Sequence, residues 1–233
     1  MLRSRFVVCS RQVVMACFVP VLLAACAGHD PADDPRVRAL PMVVELSSVP
    51  FFPQQTFQSA PASLAALFGF QGETVTPGMV EKALQLPEDE ASLAQRIPVV
   101  AHQHGLLVYP LDKRLEDLLV QVAAGNPVLV HVRQGYGWLP SWRYAVLVGF
   151  DREREVVLLR LAGDRRAQVG FAEFAADWAA AGQWAVLLQA PNVLPVAPTW
   201  LAGGRRRMCW RLRVRWMRRT WRGNRCAEYA SSQ

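Results

Sequence analysis

Ser59 heads a helix-forming run, Ser59-Ala60-Pro61 followed by ASLAALFGF, and a hydroxyl at a helix start is one place where a nucleophile could stand. A serine hydroxyl is far harder to deprotonate than a thiol, so such chemistry needs a base beside it. A thiol nucleophile is excluded from the central part of the chain. All five cysteines, Cys9, Cys17, Cys26, Cys209 and Cys226, lie outside residues 27–200. Four histidines are the candidate bases. His29 lies in a polar N-terminal stretch, and His102 and His104 close a predicted helix ahead of Gly105, where the helix dipole favours a cation. His131 alternates with Val130 and Val132 on a β-like run and so faces away from both. His102-Gln103-His104 alone lacks the further ligands of a zinc site, and no metal or cofactor is expected. Ser59 has no GxSxG context. Serine is also among the best helix N-caps, worth about 1 kcal/mol over alanine.

Two longer stretches give these residues a setting. Val49 to Leu67 reads VPFFPQQTFQSAPASLAAL, and Arg143 to Asp151 reads RYAVLVGFD. Both resemble segments of the papain-like bacteriocin-processing (double-glycine leader) cysteine peptidases and their lipoprotein relatives. There the corresponding runs read roughly VPFFPQ…QCGPA and HYAVVVGYD. VYPL at Val108 to Leu111 and AGNPVLV at Ala124 to Val130 extend the likeness, which covers about 145 residues. The resemblance implies a papain-like α+β fold, with Gln54 at the oxyanion position, Ser59 at the nucleophile position and Arg143 at the base position. The departures are chemical. Ser59 and Ala60 stand for Cys and Gly, and Arg143 stands for His. A guanidinium keeps its proton, so Arg143 accepts none from Ser59. The family's orienting acid would fall near Leu159 and Arg160, neither acidic, with Asp164 the nearest candidate. The expectation is a degenerate peptidase-like domain that binds a peptide or protein ligand in its cleft without cutting it, Arg143 suiting a carboxylate. Two alternatives stay open, a hydrolase using Ser59 with an unconventional base, and a decaying gene.

The elements that must position these residues follow from local pattern. Helices are predicted from Ser59, from Pro77 behind a Thr76 cap, over Ser92 to His104 with Pro98 kinking or breaking it, over Arg114 to Ala124 with a stop at Gly125, and over Phe171 to Ala181 before Gly182. β-like runs cover Leu106 to Tyr109, Pro127 to Arg133, Tyr144 to Phe150, Glu155 to Leu161 and Trp184 to Gln189, with Asp151 to Arg154 as a hairpin connection. Helices first and an antiparallel sheet afterwards indicate α+β.

The ends carry other signals. Residues 1–25 read as a signal peptide: Arg3, Arg5 and Arg11, then the apolar run Gln12 to Ala25, too short to span a membrane. Leu23-Ala24-Ala25-Cys26 resembles a bacterial lipobox, which implies lipidation of Cys26. Ala27 after it favours the outer membrane, with the chain facing the periplasm. Residues 26–47 are expected to be a tether, 48–197 the peptidase-like domain and 198–233 a separate tail. From Leu201 the tail holds ten arginines against Glu228, interleaved with Trp210, Trp216 and Trp221. A basic-aromatic tail fits nucleic acid or an anionic membrane; the same mixture is what out-of-frame reading of a GC-rich gene gives, and a disordered or frameshifted terminus is expected. The tail's net charge is +9 and the first 26 residues carry +3, so from a total of +7 residues 27–200 carry −5. An acidic domain gives no case for a nucleic-acid partner.

Overall fold

The computed structural model describes residues 34–53, 59–86, 90–135 and 141–196. Seven strands form one antiparallel sheet: β1 (Val43–Glu45), β2 (Leu107–Pro110), β3 (Val128–Gln134), β4 (Ser141–Asp151), β5 (Val156–Leu161), β6 (Asp164–Gly170) and β7 (Ala185–Gln189). Their order is β2-β7-β3-β4-β5-β6, and β1 pairs with β4 at Gly149 to Asp151, beyond the end of its pairing with β3. Helices cover both faces. α2 (Ser59–Phe70), α3 (Pro77–Ala83) and α4 (Glu90–Gln103) pack on the face that carries Leu129, Tyr144, Val146, Val148 and Val186. On the other face, α1 (Pro35–Arg38), α5 (Leu115–Ala123) and α6 (Phe171–Ala180) cover Val130, Val132, Ala145, Leu147 and Leu187. This two-sided burial explains why β4 is buried without a break from Tyr144 to Phe150.

The predicted elements form where their local chemistry places them. Thr76 caps α3 and Pro77 opens it; Gly125 and Gly182 take the left-handed backbone, φ +88° and +80°, that ends α5 and α6. The β4–β5 connection is closed by Asp151, whose carboxylate accepts the Arg154 N–H at 3.1 Å. α4 departs from expectation by running through Pro98 as one helix. Ile97, Val100 and Ala101 are buried on either side of it, and that packing outweighs the bond Pro98 cannot donate.

The expected tether, residues 26–47, needs a second correction. From Asp34 the chain is folded onto the domain. Asp34 caps α1 through the Arg36 N–H, and Arg36 pairs with Asp34 at 3.0 Å and with Asp117 of α5 at 2.6 Å. β1 then enters the sheet, with Glu45 paired to Arg166 at 2.8 Å. Gly149 makes this possible, since a Cβ there would sit 2.3 Å from the Val44 carbonyl. At the other end Gln121, one turn along α5 from Asp117, accepts the Val196 N–H at 3.2 Å and donates to its carbonyl at 2.7 Å. The expected signal segment, Cys26 and residues from 197 onward lie outside the described residues; among the described residues no helix is long and apolar enough to cross a membrane.

Candidate functional site

The site forms where α2 meets the open edge of β4. β5 pairs with β4 only as far as Val146 opposite Arg160, because the chain turns at Ala162 with φ +54°. Tyr144, two residues beyond, pairs with His131 on β3, but its own N–H and C=O point away from β3. His131 likewise directs its N–H to the Trp184 carbonyl at 3.1 Å. That is the non-hydrogen-bonded register of an antiparallel pair. Two serines fill the vacant edge. The Tyr144 N–H donates to Ser59 Oγ at 3.2 Å, and the Ser63 hydroxyl donates to the Tyr144 carbonyl at 3.1 Å. Four residues apart, they share one stripe of α2 and together act as a two-atom strand. All three residues are buried, Ser59 at 5%, Ser63 at 1% and Tyr144 at 3% exposure, so water does not compete for these bonds.

This arrangement bears on the residues singled out by sequence. Ser59 is the first residue of α2, and its hydroxyl serves β4 across the interface. Arg143 is the immediate neighbour of the clipped residue. Its Nε and Nη1 are shielded from solvent, and its guanidinium accepts no proton. Leu159 is part of the core behind the sheet. Arg160 is 2% exposed; burial draws its pKa below the ordinary value, and its Nη1 donates to the Arg165 carbonyl. Asp164 is exposed at the start of β6, where Oδ1 accepts the Arg166 N–H at 2.7 Å and closes the β5–β6 turn. Gln54 lies outside the described residues.

The histidines take other duties. His102 is exposed, and His104 stacks on Phe68 with ring centroids 4.5 Å apart. His131 faces away from Val130 and Val132, as alternation requires, and stacks on Tyr144 at 4.6 Å. The closeness follows from the pairing, since non-hydrogen-bonded pairs bring side chains nearest. Burial, the larger influence, outweighs the opposing one of the Ala181 backbone and holds the His131 imidazole below its ordinary pKa, hence neutral at pH 7. The Ser59 hydroxyl bonds the Tyr144 backbone, whereas His131 stacks on the Tyr144 ring. Around His131 lies an open cavity of about 470 Å³, walled by Trp142, Tyr144 and Trp184, with Ala94 of α4 on one side and the turn 180–182 on the other. Trp184 meets Tyr144 edge-on at 5.5 Å. Sequence reasoning passed over Ser63, Trp142 and Trp184. For Ser63 a signal was present: two serines four apart on an otherwise apolar helix mark one shared contact.

The fold has solved counterparts. A C39-like peptidase from Bacillus anthracis aligns with a TM-score of 0.52 and 18% identity, covering 64% of this chain and 98% of its own. The peptidase domain of Streptococcus ComA, a bi-functional ABC transporter, gives 0.47 and 17%, covering 61% and 98%. A double glycine motif protease from an AMS/PCAT transporter, solved with its leader peptide, gives 0.44 and 13%, covering 61% and 91%. No family model and no curated protein matches the sequence. Helices on an antiparallel sheet, with α2 running from the β4 edge, give this chain the α+β, papain-like fold of the C39-like peptidases.

Proposed function

We propose that this chain is an envelope lipoprotein, anchored through Cys26, whose peptidase-like domain holds an extended peptide without cutting it. One observation carries the reading: the hydroxyl at the nucleophile position is engaged by the Tyr144 backbone, and the residue beside it is Arg143. Arginine stands where the resemblance puts the base, and a guanidinium takes no proton from a serine, so acyl transfer lacks its first step. The same guanidinium suits a carboxylate, such as a peptide C-terminus, through two parallel N–H···O bonds. The lipobox-like Leu23 to Cys26 supports the anchored location.

The test is a peptide-cleavage screen on the full-length chain, its Ser59→Ala variant and the Ser59→Cys/Arg143→His double variant. The expected result is an inert parent and a double variant that cleaves. Cleavage by the parent that Ser59→Ala abolishes would establish a serine hydrolase instead. Peptide affinity unchanged by Arg143→Ala would remove the carboxylate role.

A further inference from the structure

The cavity beside the start of β4 is distinct in its chemistry from the Ser59 position. No Lys, Arg, Asp or Glu is among its described lining residues, and three of its walls are aromatic. The faces of such rings carry negative potential and attract cations. One hydrogen-bond acceptor adds to this. Pro98 lacks an N–H, so the Ala94 carbonyl four residues before it loses its usual helical donor. Small residues leave room. A Cβ on Gly182, at φ +80°, would meet nothing within 4 Å. An apolar guest would use the ring faces and leave the Ala94 carbonyl without a donor, whereas a cation rich in N–H donors uses both.

We propose that this cavity binds the guanidinium or ammonium end of a basic side chain on the bound peptide. The inference rests on the peptide-binding reading of the cleft and adds a selectivity to it: the ligand carries an arginine or lysine that Trp142, Tyr144 and Trp184 enclose, with an N–H group donating to the Ala94 carbonyl.

The experiment uses the full-length chain in detergent and labelled alanine pentapeptides whose central residue is arginine, citrulline or norleucine, with binding read by fluorescence anisotropy. Citrulline keeps the shape of arginine and removes its charge. The expected result is arginine over citrulline by roughly tenfold, falling to within twofold in Trp142→Leu and also in Trp184→Leu. Equal affinities for arginine and norleucine overturn the assignment and leave peptide binding standing. An arginine preference that survives both tryptophan substitutions overturns the site. Absence of binding by all three peptides overturns it together with the peptide-binding reading. A separately added peptide of residues 205–219 carrying Cys209→Ser that displaces the arginine peptide equally from parent and Trp142→Leu would place the basic site elsewhere.

Discussion

Replacing Ser59 by alanine removes the oxygen that accepts the Tyr144 N–H on the open edge of β4. Both residues are at or below 5% exposure, so water does not take the place of the lost oxygen. A buried donor left unpaired costs about 1–3 kcal/mol, and the bond at 3.2 Å is of ordinary length, which places the loss near about 2 kcal/mol. For a domain of this size that is a fall in Tm of roughly 6 °C. Ser63 still donates to the Tyr144 carbonyl, so the helix stays docked and the change is local. Ser59→Cys, whose sulfur is a weak acceptor, should fall between parent and alanine. Urea unfolding gives the free energy, and amide exchange gives the location. Tyr144 should lose protection, while the first amides of α2 keep theirs. A Ser59→Ala variant within about 0.5 kcal/mol of the parent refutes the reasoning. So does a variant that loses protection only in the first turn of α2, because that is the signature of a helix cap.

Gly149→Ala should destabilise by about 3 kcal/mol and free the β1 segment, because its Cβ would meet the Val44 carbonyl at 2.3 Å and Leu158 Cδ1 at 2.9 Å; limited proteolysis ahead of Leu46 reads it. The two carboxylates around Arg36 should respond oppositely to pH. The hydrogen bond from Arg36 holds Asp34 below its ordinary 3.8, so its contribution is present above that value and is lost as pH falls beneath it. Burial raises Asp117 above 3.8 despite the same arginine, so its ionised form costs stability at neutral pH and acidification relieves it. Urea midpoints at pH 7 should therefore fall for Asp34→Asn and hold or rise for Asp117→Asn, and the Asp34→Asn deficit should shrink below pH 3.8.

What the sequence discloses and what it hides divide along physical lines. α2, α3, α5 and the β3–β4–β5 core announce themselves because each has a cap, a glycine stop or a continuous apolar run. β6 is hidden because it is an edge strand with no buried residue and its Asp164, Arg165 and Arg166 are all exposed, the charges by which edges resist pairing. α1 and β1 are hidden because Pro35 and a run of acids read as a spacer; Pro35 is in fact the first helical residue behind an Asp34 cap, and β1 is only three residues long. At the site, the placement of Ser59 beside the Arg143 strand was legible from the two motif segments. The use of the Ser59 hydroxyl was not, because it depends on where β5 stops, and that is set by the turn at Ala162. The aromatic cavity was likewise out of reach, since Trp142 and Trp184 meet only through β3 and β7.

The two ends of the folded region meet on α5: Asp117 holds the segment arriving through Arg36, and Gln121 holds the segment leaving at Val196. Mechanically, this helix is a tie-bar. Tension between an anchor upstream and anything tied downstream would enter and leave the molecule within one helical turn, about 5 Å of travel. The load path would therefore shear the α1 and Val196 contacts on one side of the sheet and bypass the β4 edge on the other. The cleft and its cavity would keep their shape under a pull that had already begun to peel the ends away.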